Sequence, residues 1–361
     1  MGRSSLLSLI KRIAGAIVLC FCLLVSPASA AAKTEAPGQT SSIQPYLDRV
    51  IQQVTEFRLK NGLKFIVLER HQAPVVSFLT YADVGGADEP DGKTGVAHFL
   101  EHLAFKGTTR IGTQDYAAEK PLLDRLDQLA TQIQAAKDQP AELSKLQAEF
   151  NTVEAEATRL AQQNEFGRLV EQAGGVGLNA NTSTDATRYL YSFPSNKLEL
   201  WMSLESDRFL DPVFREFYKE KAVILEERRL RTDNSPIGQM IEAFLGAAFQ
   251  VHPYRRPVIG YNQEIQNLTR QDVQTFFDQY YGPGNLTIAI VGDVDPNQVK
   301  QLAQTYFGRF PAKPAPPKVV AMEPAQTAPR EVTLRLPSQP WYLEGYHRPA
   351  LNHPDDAIYD L

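Results

Sequence analysis

The stretch Gly95-Val-Ala-His98-Phe-Leu-Glu101-His102-Leu-Ala-Phe105 decides how this sequence is read. It reads as a helix, and on a helix positions i, i+3 and i+4 share one face. Two imidazoles and one carboxylate therefore point the same way, one turn apart. Neutral ring nitrogens are zinc ligands, and a carboxylate beside an open coordination position is what metal-assisted hydrolysis needs. The order His-x-x-Glu-His is the reverse of His-Glu-x-x-His, with the acid just before the second histidine. The competing reading is an exposed helix face with ordinary solvated side chains.

Composition bounds what surrounds that helix. The chain has 361 residues, 43% of them hydrophobic, and a formal charge of −5. That composition suits globular cores, with roughly two domains for this length. The acidic balance and the lack of a dense basic patch give no reason to expect nucleic acid as a partner. Arg3, Lys11 and Arg12 precede an apolar run from Ile13 to Val25, and Pro27 then leads into Ala28-Ser29-Ala30. This is the pattern of a cleaved export signal over residues 1–30, so the mature chain is expected to start at Ala31. Both cysteines, Cys20 and Cys22, lie inside it, behind Leu19 and Phe21, which are too large for a typical lipoprotein cleavage site. The mature chain then has no disulfide, although export allows one, and any metal must be held by His and carboxylate. No later apolar run is long enough to span a membrane. The expected location is the bacterial periplasm or outside the cell.

Residues 31–45 are rich in Ala, Ser, Thr, Pro and Gly and read as a flexible leader. Phe57 to Lys60, Asn61-Gly62 and Leu63 to Leu68 read as a β-hairpin closed by a type I′ turn. Val75–Ala82 reads as a third strand. Residues 117–165 differ in kind. Leu122, Leu126, Leu129, Ile133 and Ala136, then Leu143, Leu146, Phe150, Val153, Ala157 and Leu160, follow heptad spacing on either side of Pro140. That pattern predicts an antiparallel coiled-coil hairpin with arms of roughly 30 Å and a solvated charged outer face. Val176 to Phe193 reads as two strands around Ser183-Thr-Asp185. Helices are expected over 197–209, 215–231, 237–249, 271–281 and 299–307, and a buried strand over Leu286 to Val291. Residues 311–330 read as a Pro-rich linker, followed by strands at Glu331 to Leu336 and Trp341 to Tyr346. The residues after the linker are too few for a core of their own.

From about Phe57 to Phe310 the sequence resembles the M16 family of zinc metallopeptidases, the pitrilysin, insulin-degrading and mitochondrial processing peptidase group. His98 to Thr108 is similar to that family's active-site helix, and Leu178-Asn-Ala-Asn-Thr-Ser183 to its substrate-binding edge strand. His252-Pro-Tyr254 and Tyr281-Gly-Pro-Gly-Asn-Leu-Thr287 resemble later landmarks. The resemblance implies an α+β fold of the LuxS and processing-peptidase kind, with a mixed, largely antiparallel sheet packed by helices and the helical hairpin inserted. It implies an N-terminal peptidase domain over 46–310 and the start of an incomplete second domain over 331–361.

The resemblance also implies roles. His98 and His102 would hold one Zn²⁺, with Glu101 as general base. Glu220-Lys-Ala-Val-Ile-Leu-Glu-Glu227 fits the family's second helix, with Glu227 as third ligand and Glu220 supporting catalysis. Glu226 competes for the ligand position, because helix phase read from sequence is uncertain by a residue. Asn179, Ala180 and Asn181 would bind an extended peptide by strand addition. Three departures stand out. His102 and Glu227 lie 125 positions apart (227 − 102), and removing residues 117–165 restores the family's spacing. Asn181 stands where an aromatic residue is common. The second half, which usually adds an Arg and a Tyr to substrate binding, is almost wholly missing, so the chain is either a piece of a longer protein or a half-enzyme that needs a second M16 half or a dimer partner. The implied activity is that of an exported zinc metalloendopeptidase or its catalytic half. The alternatives are a non-catalytic M16-like partner subunit and a zinc-binding protein without catalysis. His71, His252, His347 and His353 read as loop or packing residues, and Arg188 and Tyr189 as structural.

Overall fold

A computed structural model describes residues 43–351 and 353–360. The expected export signal lies outside the described residues, as does the leader up to residue 42. Residues Arg49–Leu343 form one compact unit. The site and its scaffold lie in it. A helix, α1 (Gln44–Gln52), begins within the last residues read as leader.

The sheet is built from β1 (Val54–Arg58), β2 (Lys64–Glu69), β3 (Val75–Ala82), β4 (Val176–Thr182), β5 (Thr187–Pro194) and β6 (Leu286–Gly292). Its order is β1-β2-β6-β3-β5-β4. Only β2 and β6 pair in parallel, so the sheet is mixed and largely antiparallel, as expected. Strands alternate their side chains between faces. On β3 the buried set is Val76, Phe78, Thr80 and Ala82. Phe78 stacks on Trp201 with ring centroids 4.3 Å apart, which fixes the helix Leu198–Leu210 beneath the sheet. β4 is an edge strand, and among the described residues no strand lies on its outer side.

The first hairpin forms, but not with the expected turn. A type I′ turn needs positive φ at both central residues. Here Gly62 has φ +99°, and Asn61 is not among the positive-φ residues. The Gly62 N–H instead reaches the Leu59 carbonyl and the Leu59 N–H reaches Leu63, a three-residue loop. The Asn61 amide donates to the Phe307 and Phe310 carbonyls at 2.8 and 3.1 Å. Tertiary bonding thus selects the asparagine conformation.

The helices are α2 (Val96–Leu103), α3 (Tyr116–Ala135), α4 (Pro140–Leu160), α5 (Glu165–Gln172), α6 (Leu198–Leu210), α7 (Phe217–Arg228), α8 (Pro236–Ala248), α9 (Asn262–Asn267), α10 (Arg270–Tyr280) and α11 (Pro296–Phe307). Helices α5 and α9 were not anticipated. Both are short, six to eight residues, and carry little periodic signal. Helices α3 and α4 form the helical hairpin. Leu123, Leu126, Leu129, Ala136, Leu146, Phe150 and Ala157 are buried in a cluster of their own with Val213. The hairpin does not simply project. Its first arm is tied to the domain by Arg215 to Glu119, Arg270 to Asp124 and Asp127, and Tyr218 to Asp127.

Residues 311–343 form neither helix nor strand. Glu323 accepts the N–H groups of Gln250, Val251 and His252 at 2.6–3.0 Å, and Arg330 donates to the Ala247 and Ala248 carbonyls. The strands expected at 331–336 and 341–346 do not form. A strand needs a ladder partner for its backbone groups, and among the described residues no strand pairs with these.

Candidate metal centre

Two features aim the motif helix α2. Its apolar positions Val96, Ala97, Phe99, Leu100 and Leu103 are buried, which turns His98, Glu101 and His102 the other way. Its N-terminus is pinned by a buried carboxylate: Glu89 accepts the N–H groups of Gly95 and Ala97, both at 2.9 Å. These are orphan donors at a helix start, where a negative group is favoured. Gly95 enters at φ +88°, and a Cβ there would lie 2.6 Å from the Ile259 carbonyl. Only glycine permits that crossing of two backbones.

Helix α7 lies against α2 through Phe99 and Phe217, whose rings stack at 4.6 Å and 14°. Aromatic pairing adds about 0.5–1.5 kcal/mol to the burial of both rings. This contact faces α7 towards the histidines. Glu226 is not on that face, because it pairs with Arg229 on the exposed side at 2.6 Å. The alternative third ligand is therefore set aside on geometry.

His98, His102 and Glu227 each offer a ligand atom, and these atoms lie within 4.8 Å of one another. Glu227 Oε2 is 3.8 Å from His98 Nε2 and 3.6 Å from His102 Nε2. Those gaps are long for direct hydrogen bonds. They are close to the roughly 3.4 Å edge of a tetrahedron with zinc bonds of about 2.0–2.1 Å. Burial, then the neighbouring His102 and Arg231 charges, hold the His98 pKa down to about 3. His98 is thus a neutral imidazole at ordinary pH, the form that binds metal. Its Nδ1 is buried without a hydrogen-bond partner, so no hydrogen bond on that side orients the ring. His102 Nδ1, by contrast, lies 3.3 Å from Glu220 Oε2, the carboxylate–histidine contact common around zinc ligands. The donor set fits a zinc ion.

The remaining expected residues fall around this group. Glu101 lies on the same helix face, and its Oε2 accepts the Thr182 hydroxyl at 2.5 Å. Burial raises the Glu101 pKa against the opposing Thr182 bond and the His102 charge. Thr182 is the last residue of β4, so the acid touches the free sheet edge. On that edge Asn179 and Asn181 are exposed. Asn179 accepts the Ala180 N–H at 2.9 Å, and Asn181 accepts from Arg188 at 3.2 Å. Three side chains with contacts here were not singled out from sequence. Thr182 binds Glu101, Arg231 binds the outer oxygen of Glu227 at 2.6 Å, and Lys106 binds Glu220 at 2.6 Å. Arg231 follows Glu227 by four, a helical pairing readable in principle. His71 sits apart between Glu69 and Asp293, and His252 accepts the Tyr254 N–H.

Residues 64–139 and 154–261 match the family model described as Insulinase (Peptidase family M16). The break falls inside α4. Residues 267–361 match the model described as the Peptidase M16 inactive domain. The chain is 30% identical over 309 residues to the zinc protease PqqE of Helicobacter pylori, covering 84% of this chain and 58% of that protein. In structure it is similar to a protease from Helicobacter pylori, at 29% identity and a TM-score of 0.61, over 77% of this chain and 56% of the other. It shares its fold with the first half of the periplasmic protease PqqL from Escherichia coli, at 22% identity and a TM-score of 0.57, over 76% and 50% of the two chains. The chain spans about half the length of the curated relatives it matches. No helix among the described residues is long and apolar enough to cross a membrane. The motif helix, the second acidic helix and the sheet that carries them agree with these matches: the chain belongs to the M16 peptidase family.

Proposed function

We propose that this chain is an exported zinc-dependent metalloendopeptidase, or the catalytic half of one, that cleaves extended peptides. The observation that carries the reading is the convergence of His98, His102 and Glu227 with Glu101 beside them. His98, His102 and Glu227 would hold one zinc ion. Zinc bound there supplies Lewis acidity to a peptide carbonyl and lowers the pKa of water towards about 7. Glu101 takes the proton of the attacking water and hands it to the leaving amine. Thr182 holds that carboxylate in place, and Glu220 holds the His102 ring. The β4 edge, with Asn179, Ala180 and Asn181, receives the peptide as an added strand. Because the Ala180 N–H is already bonded to Asn179, the incoming strand displaces that side chain. Strand addition reads backbone, so side-chain specificity is broad.

A second M16 half, joined or separate, completes the site. The length of the relatives supports this, and so does the likeness to one half of a two-part protease. The periplasmic name of that protease and the N-terminal sequence support export. The second reading is a non-catalytic partner subunit, favoured by the inactive-domain match at residues 267–361. A fluorogenic peptide assay, with and without chelator and with and without a second half, separates the two. Chelator-sensitive cleavage supports the enzyme. A zinc-loaded chain that cleaves nothing in either setting supports the subunit.

A further inference from the structure

We propose that Lys106 is a positioning residue of the metal centre, acting through Glu220 on the His102 ring. The inference rests on the zinc reading above and extends it to a side chain outside the three proposed metal ligands.

Lys106 lies one turn beyond α2, where its N–H bonds to the Leu103 carbonyl and Gly107 turns the chain away at φ +93°. Its ammonium is 2.6 Å from Glu220 Oε1 and 3.1 Å from Glu216 Oε2. The other Glu220 oxygen, Oε2, is the one 3.3 Å from His102 Nδ1. One cation therefore fixes one oxygen of a carboxylate whose second oxygen meets the imidazole. The far nitrogen of that ring is the one facing Glu227.

The arrangement needs a cation at this point. Glu216, the residue just before α7, and Glu220 in its first turn share the Lys106 ammonium, and both are largely shielded, with side chains 8% and 10% exposed. Two carboxylates brought to one point repel unless a cation lies between them. Without Lys106, Glu220 loses the partner that holds it against His102. A second observation points the same way. Glu216 has φ +55° and is one of only two non-glycine residues with positive φ among the described residues. Such strain persists only where the surroundings over-determine it. Lys106 and Lys219 grip the two Glu216 oxygens at 3.1 and 3.0 Å. The strained residue opens α7, which carries both Glu220 and Glu227, so the same lysine sets the start of the helix and the rotamer of its first acid.

The test is zinc affinity of the full chain, by competition with a chromophoric chelator. It uses wild type, Lys106→Met, Lys106→Arg, Glu220→Gln and the Lys106→Met/Glu220→Gln double variant. Loss of an outer partner of a metal ligand costs about 10–100-fold in affinity. Lys106→Met is expected near the lower end, about 10-fold, with Lys106→Arg within about threefold of wild type. In the Glu220→Gln background the same change should add less than about twofold. That coupling marks action through Glu220, and a merely structural loss would weaken zinc in both backgrounds alike. Wild-type affinity in Lys106→Met, or an equal loss in both backgrounds, overturns the proposal. A wild-type chain with no zinc affinity overturns the metal reading itself, and the proposal with it. Metal-free melting temperatures of all five proteins check folding, and Lys106→Arg keeps the proposal falsifiable if Lys106→Met unfolds.

Discussion

Glu101→Gln separates chemistry from metal binding. The change keeps volume and shape and removes the basic oxygen. Two effects have to be weighed. The first is loss of general-base catalysis, which contributes about 10²–10⁴-fold, or about 2.7–5.4 kcal/mol of barrier. The second is loss of orientation. The Thr182 hydroxyl donates to Glu101 Oε2 at 2.5 Å. A hydrogen bond to a charged group is worth about 1.5–3 kcal/mol and one between neutral groups about 0.5–1.5. A glutamine oxygen still accepts from Thr182, so weaker positioning accounts for about 1 kcal/mol, or about fivefold in rate. The base effect therefore exceeds the orientation effect by at least about 20-fold. Glu101 is not among the three clustered ligands, so zinc content should stay at wild-type level. The assay is cleavage of a fluorogenic peptide by zinc-loaded protein, with metal content measured on the same sample. A rate loss of at least about 100-fold at full zinc occupancy is expected. A loss under about 10-fold lies within reach of orientation alone and refutes the assignment of Glu101 as base.

Three further outcomes follow from the same geometry. Zinc at 100 times its dissociation constant should stabilise the chelator-treated chain by about 2.7 kcal/mol; a zinc-dependent rise in melting temperature that survives His98→Ala would remove His98 from the ligand set. The buried Arg215–Glu119 pair, with side chains 2% and 1% exposed, should cost about 3–5 kcal/mol when Glu119→Ala strands the guanidinium. The half-exposed Arg125–Glu149 pair should cost under about 1 kcal/mol when Glu149→Ala breaks it; similar denaturant midpoints for the two variants would contradict the way the hairpin is rooted. For Glu323, three backbone N–H groups outweigh the cost of burial and hold its pKa down to about 2 from 4.5. The folded chain then binds fewer protons than the unfolded one between those values, so this clasp is intact above about pH 4.5 and is lost as pH falls through about 2. Amide exchange at Gln250, Val251 and His252, corrected for intrinsic rate, should quicken over that window in wild type and lose its pH dependence in Glu323→Gln. Equal protection at pH 2.5 and pH 6 in wild type would count against the clasp.

What the sequence made legible was what repeats or what is chemically rare. A run of strand-forming residues marked Val75–Ala82, the heptads marked both arms of the hairpin, and His98-x-x-Glu-His102 marked one wall of the candidate site. Each signal is local, held within one element, and so readable from one segment. The third wall was not. Nothing near Glu227 distinguishes it from Glu226 except helix phase, and phase is set by Phe217 stacking on Phe99, over a hundred residues away in the chain. Only the resemblance to a family pointed to Glu227 before the fold did. The Asn61-Gly62 turn failed for the same reason, since local propensity favoured two positive φ angles and contacts with Phe307 and Phe310 favoured one.

The supporting side chains were the least visible, and their physics explains it. Lys106, Arg231 and Thr182 act through distances that exist only once α2, α7 and β4 have packed together. A lysine, an arginine and a threonine on exposed-looking segments carry no compositional mark. Yet they divide the work among the acids. Lys106 and His102 draw Glu220 towards the outside of the ring, Arg231 takes one oxygen of Glu227 and leaves the other facing the histidines, and Thr182 holds Glu101 at the sheet edge. Three carboxylates that would repel one another if left free are each turned by a different partner. On the proposed reading, this assignment of partners would let one small cluster hold a ligand, a ring anchor and a base at once.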